Sequence, residues 1–194
     1  MFMNKTQFKK MVKKAFNGSG LKVGYIYGGL VASGNGWVSW TESGSIPNWV
    51  KAAVVEYAGQ MPDGGELLEA KKGEPVQYLI ADSPYYNLPE RFKGAKLPYR
   101  DTEVALQLPY GELRFFQENK GRIAAMPLAL FSMVDFSQLG GESRPMGPSL
   151  MDDRMLVWKN ECSAFAAATL TTDDERALRI EKALEGVDFW KEGK

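Results

Sequence analysis

The chain has no histidine in 194 residues and a single cysteine, Cys162. Histidine is the side chain whose unperturbed pKa lies nearest neutrality, so its absence excludes Ser-His-Asp and Cys-His catalysis and every histidine-ligated zinc or iron site. A lone cysteine forbids an internal disulfide and a cysteine-based zinc site within one chain. Its apolar neighbours in AFAAA mark Cys162 as a small buried residue rather than a nucleophile. Net charge is lacking as well. Lys and Arg total 24 and Asp and Glu total 24, so no global field steers the chain toward nucleic acid or an acidic membrane. No stretch approaches the roughly 20 apolar residues of a membrane span, and the opening MFMNKTQFKK lacks the apolar run of a signal peptide. These absences lead us to expect a cytoplasmic protein with no membrane partner, no cofactor and no metal. Any catalysis would fall to carboxylates, Lys, Tyr or Arg.

What is present is core-forming material, with 44% hydrophobic and 12% aromatic residues, enough for one domain or two small ones. Asn4 with Gln7 three residues later is a capping-box arrangement, and Phe8, Met11, Val12, Ala15 and Phe16 follow at helical spacing until Asn17-Gly18. The opposite face carries Lys9, Lys10, Lys13 and Lys14. From Leu21 the period changes to two in LKVGYIY, then LVAS and WVSW, predicting three strands. Pro47 opens a second helix with Trp49, Val50, Ala53, Val54 and Tyr57 as its apolar face, closed by Gly59. GELLEA and EPVQYLIA read as two more strands.

Glycines crowd residues 25–40, YIYGGLVASGNGWVSW, and raise the question of a phosphate-cradling loop. Such a loop needs a strand before it and a helix N-terminus after it. Gly34-Asn35-Gly36 instead separates two strands, and Gly18-Ser19-Gly20 follows a helix and precedes a strand. Both contexts point to turn chemistry.

Residues 82–110 break the pattern. Pro84, Pro89, Pro98 and Pro109 punctuate a segment expected to be a long loop, rich in Tyr85, Tyr86, Phe92 and Tyr99 together with Arg91, Lys93, Lys96 and Arg100. Rings beside cations suit stacking on bases or a protein interface, and they suit core cover equally. Beyond it, ELRFFQENKGRIAAMP predicts a hairpin turning at Asn119-Lys120-Gly121, and LALFSMVDFSQL a helix from Pro127 to Gly140-Gly141. SLMDDRMLVWKNECSAFAAATL predicts two or three strands turning near Asp152-Asp153 and Asn160. Thr172 with Glu175 predicts a capping box and a terminal helix through about Trp190. The expected class is α+β, with antiparallel sheets and about four helices. Two similar helix-plus-strand units, 1–81 and 111–194, flank the connector 82–110, and the whole is compatible with one compact domain.

Carboxylate chemistry would need two acids held across a substrate; Asp82, Glu90, Asp101, Glu112, Asp152 and Asp153 are available, but no spacing selects a pair. Two stretches resemble subdomains of bacterial sliding clamps: NKTQFKKMVKKA with GLVASGNGWVSW, and IAAMPLALFSMVDFSQLGGESRPMGPSL with MLVWKNECSAFAAATL. That resemblance implies a ring of antiparallel strands with helices lining a basic channel, and would turn Lys9, Lys10, Lys13 and Lys14 toward DNA. MNKTQFKKMVKK and the histidine-free, motif-poor character of the chain also resemble small phage and mobile-element accessory proteins, some of which inhibit host defence nucleases. The leading expectation is a non-enzymatic binder of a macromolecule, a protein partner ahead of nucleic acid. Tyr85, Tyr86, Arg91, Phe92, Lys93, Lys96, Tyr99 and Arg100 are its expected contact residues, with the four lysines as the expected DNA contacts. A sliding-clamp-like DNA-associated protein and a carboxylate-dependent hydrolase are the alternatives.

Overall fold

The computed structural model describes residues 1–137, 144–152 and 154–191. Among them the chain forms α1 (Lys5–Asn17), β1 (Leu21–Ile26), β2 (Gly29–Gly34), β3 (Trp37–Glu42), α2 (Asn48–Ala58), β4 (Leu67–Ala70), β5 (Gln77–Leu79), α3 (Leu88–Arg91), β6 (Leu97–Leu108), β7 (Gly111–Glu118), β8 (Ile123–Pro127), α4 (Leu128–Phe131), β9 (Met146–Met151), β10 (Met155–Lys159), β11 (Ser163–Ala168) and α5 (Glu175–Glu185). The strands lie side by side in the order β5-β4-β1-β2-β3-β11-β10-β9-β6-β7-β8, and every strand pairing is antiparallel. The class is α+β. Pairing of β3 with β11 carries the sheet from the N-terminal strands to the C-terminal ones. Strand β6 joins two parts: Leu97 and Pro98 pair with β9, and from Tyr99 onward it pairs with β7.

Local chemistry explains the first elements. The Asn4 side chain accepts from the amides of Thr6 and Gln7 and starts α1, whose buried stripe is Phe8, Met11, Val12 and Ala15. Helix α2 ends at Gly59 in the left-handed conformation (φ 80°) that glycine adopts without steric penalty. The glycine-rich run is turn and packing, as its context implied. Gly36 has φ 74°, and a Cβ on Gly34 would stand 2.7 Å from Ala15 Cβ, so Gly34 is what lets α1 close on the sheet.

Burial falls into three layers. On one face, α1 and α2 cover Leu21, Val23, Leu30, Trp37 and Leu68, a cluster continuing through Leu156, Trp158 and Phe165 to Phe116 of β7. Phe8 meets Trp37 and Trp49 edge-on at 6.2 and 5.4 Å between ring centroids. On the other face, Ile26, Val31, Val38, Val157 and Ala166 lie beneath Tyr86, Leu88 and Phe92. A third cluster joins α5 through Ala177 and Leu184 to Leu113, Phe115 and Ala125. Gln117 fastens that last packing: its amide donates to the carbonyls of Leu184 and Val187, and its oxygen accepts from the Phe189 amide at 3.0 Å.

Three expectations are corrected. Residues 97–108 of the presumed loop are a 12-residue strand, bulged between Asp101 and Ala105 with Glu103 at φ 61°. The helix expected from Pro127 is one turn long, because the next residues bond to the N-terminal segment instead: the Asn4 amide donates to Met133 O and the Asp135 amide to Phe2 O. Its expected end, Gly140-Gly141, lies outside the described residues, as does Asp153 of the expected Asp152-Asp153 turn. The terminal helix is capped by Asp174 and stops at Glu185. Thr172 Oγ1 accepts from the Asp174 amide one step earlier, and Trp190 lies past the helix with its indole N–H donating to Gln117 O.

Candidate binding surfaces

The eight connector residues do not form one surface. Tyr86 is buried against the outer face of the sheet, whereas Tyr99 is buried in the helix-side cluster. Phe92 is half-buried, and Lys159 Nζ stands 4.0 Å above its ring. Arg91 is a fastening. Its Nε donates to Asp152 Oδ2 at 2.9 Å and its Nη1 to Tyr85 O at 2.6 Å, with the guanidinium 4.9 Å from the centroid of the Tyr85 ring. Its side chain is only 16% exposed. Tyr85, Lys93, Lys96 and Arg100 remain at the surface, with Lys93 paired to Glu90 at 2.6 Å. Burial pushes the Tyr85 and Tyr86 hydroxyls above their ordinary range.

Helix α1 keeps Lys10, Lys13 and Lys14 exposed and Lys9 half-buried. The acids considered for catalysis are dispersed among ion pairs: Asp101 with Arg114 at 2.7 Å, Asp152 with Arg91, and Glu90 with Lys93. Asp82 and Glu112 are exposed, and Asp153 lies outside the described residues. Among the described residues no group of three or more His, Cys, Asp or Glu side chains is placed to hold a metal. No helix is long and apolar enough to cross a membrane.

The surface that sequence reasoning missed is the free edge at β5. Among the described residues this strand pairs with β4 alone, through Leu67↔Leu79, Leu68↔Tyr78 and Glu69↔Gln77, so among them its outer side has no strand partner. Its Gln77 and Tyr78 side chains are both exposed. Leu79 packs into the outer-face cluster, whereas Val76, Tyr78 and Ile80 stand 38%, 64% and 80% exposed. Tyr78 OH is held at 3.0 Å from Gln60 Nε2 of the residues after α2. EPVQYLIA read as a strand, but nothing local in the sequence says that it ends the sheet. The opposite end is treated differently: at β8 the Leu170 amide donates to Ala125 O at 2.8 Å and covers part of that edge.

No protein family matches the sequence, and no curated protein matches it. A crystal structure of a DNA polymerase III subunit beta sliding clamp, DnaN, from Bartonella birtlesii is weakly similar, with a TM-score of 0.25 and 10% identity over 90% of this chain and 66% of that one. The chain therefore spans just under two thirds of that structure. A likeness at this level carries no argument about activity or assembly. Nothing in the comparisons connects the chain to phages or mobile elements.

Proposed function

We propose that this protein is a binding module without catalytic activity of its own, and that its partner is a second polypeptide docking along β5. The observation that carries the reading is the row Val76, Tyr78 and Ile80 on an unpaired sheet edge. Edge strands are usually blunted by shortness, charges, bulges or cover, because an open, apolar edge templates pairing with another chain; β5 is short, at 3 residues. Between Pro75 and Ile80 this edge carries no charged residue. An extended segment added here would gain main-chain hydrogen bonds from the strand and side-chain contact from Tyr78 and Ile80. A host defence nuclease as that partner, and a phage or mobile-element origin, are the finer form of the same reading, supported by the resemblance of the opening residues alone. DNA association is the second reading, supported by the exposed Lys10, Lys13 and Lys14 on α1.

The test is co-purification with the tagged chain and with Y78D/I80D, followed by measured binding of whichever protein is recovered. Both positions are exposed, so the double variant is expected to fold and melt like the parent. Loss of the partner from the variant supports the proposal. Equal recovery by both proteins removes β5 from the interface. Salt-sensitive duplex binding abolished by K10A/K13A/K14A would favour the second reading instead.

A further inference from the structure

A polar cleft of about 660 Å³ lies between α5, strand β8 and the segments around Arg154 and Thr169–Thr172. It is built where the chain leaves β11 and crosses toward β8. Thr169 donates its amide and hydroxyl to Arg154 O, at 2.8 and 3.2 Å, and the Leu170 amide reaches Ala125 O. These bonds hold the Thr169–Thr172 backbone as one wall. Arg122, from the start of β8, and Arg154, from the turn before β10, line the cleft together with Thr171, and Tyr99 and Leu150 contribute to it. Thr169 and Thr172 spend their hydroxyls on Arg154 O and on the Asp174 amide, whereas Thr171 is exposed and no bond of its hydroxyl is seen among the described residues. Neither arginine has a carboxylate within ion-pair distance among the described residues. Four other arginines behave differently: Arg91, Arg114, Arg176 and Arg179 each stand within ion-pair distance of an acid.

We infer that this cleft is a binding site for a small polyvalent oxyanion, a molecule carrying phosphate or carboxylate groups, received by Arg122 and Arg154 with the Thr171 hydroxyl as a further donor. The planar guanidinium presents paired N–H groups that match the two oxygens of a carboxylate or phosphate. The volume lies in the range of small-molecule sites, about 300–1,000 Å³. Among the described residues, Glu181 on α5 is the one acidic group lining the cleft. Burial, and secondarily the charge of Glu185, push its carboxyl up. Its negative charge opposes an incoming anion. The site is independent of the polypeptide interface at β5, and either can fail without the other.

Pyrophosphate and citrate are the probes, titrated calorimetrically into the full chain at fixed ionic strength, with the R122A/R154A double variant and with R179A as a control for a neighbouring arginine outside the cleft lining. Arg179 is exposed on α5 and does not line the cleft. At least one probe is expected to bind the parent, with affinity falling at least tenfold in R122A/R154A and unchanged in R179A, since tenfold corresponds to about 1.4 kcal/mol and a single charged hydrogen bond contributes as much. E181Q, which removes the opposing charge and leaves the arginines alone, is expected to bind severalfold more tightly. It serves as the decisive variant if R122A/R154A does not fold. Absence of binding by both probes at about 10 mM, where only contacts weaker than about 3 kcal/mol would escape notice, overturns the proposal. So does equal loss in R179A and R122A/R154A, or weaker binding in E181Q.

Discussion

Arg91→Ala separates the two roles open to the connector. A purely recognitional arginine would be removed without effect on stability, yet the structure makes Arg91 the clasp between residues 82–96 and the β9–β10 turn. Its Nε and Nη2 both donate to Asp152 Oδ2, at 2.9 and 2.5 Å, and Nη1 donates to Tyr85 O at 2.6 Å. Charge-assisted bonds contribute about 1.5–3 kcal/mol each when shielded. Asp152 is 58% exposed, so that pair is discounted toward the surface value of about 0.2–1 kcal/mol. The bond to Tyr85 O, from a side chain that is mostly buried, supplies the remainder. The expected loss is about 2 kcal/mol, or about 4–8 °C in melting temperature for a chain of this length. Lys93→Ala is the matched control. Its pair with Glu90 joins two side chains 72% and 64% exposed, and its loss is expected to move the midpoint by about 1 °C. Thermal unfolding followed by circular dichroism reads both. If Arg91→Ala melts with Lys93→Ala, the clasp contributes nothing and the argument from its hydrogen bonds is wrong.

Leu88→Ala tests the same segment from its apolar side: Leu88 is fully buried against the outer face of the sheet, so truncation should destabilise by about 3 kcal/mol, and a change below about 0.5 kcal/mol in denaturant titration would mean that the segment does not seal this layer. Asp174→Asn tests the cap of α5. Burial works against ionisation of Asp174, but the amide bonds from Ala177 and Arg176 outweigh it and hold the carboxyl below the ordinary carboxylate range. A depressed carboxylate contributes stability that is present above its unfolded value and lost as pH falls through the folded one. The parent should therefore melt above Asp174→Asn at neutral pH, with the gap closing below about pH 4; a gap that widens in acid would reverse the assignment.

Legibility followed the range of the forces. Helix α1 was readable because its cap, stripe and stop all lie within Asn4 to Gly18, and the hairpins β1–β2 and β2–β3 because glycines at Gly28 and Gly36 supply the positive φ that tight turns demand. Strand β6 was hidden by Pro98 and the polar run Arg100-Asp101-Thr102-Glu103, which imitate a loop. Thr102 is in fact buried, its hydroxyl donating to Phe115 O at 2.8 Å, and Arg114 neutralises Asp101 from the neighbouring strand. The shortness of α4 depends on Phe2 and Asn4, more than a hundred positions away, so no local window contains its cause. In the connector, Tyr86 and Tyr99 look alike in sequence to Tyr85, and only tertiary packing decides which are core. The cleft lining is drawn from Arg122, Arg154 and Thr171, whose approach depends on the crossing of the chain after β11.

The positions of the two proposed surfaces make their independence measurable. In the sheet order, β5 is separated from β10 by six strand spacings, about 29 Å along the sheet at about 4.8 Å each. Sites that far apart with no shared side chains are expected to behave additively, within about 0.5 kcal/mol. Y78D/I80D should therefore leave oxyanion affinity unchanged, and R122A/R154A should leave capture of the polypeptide partner unchanged. Coupling between them is the informative exception. It would require a sheet with two arrangements, both biased by each ligand, because a ligand shifts an equilibrium only by its differential affinity for the two states.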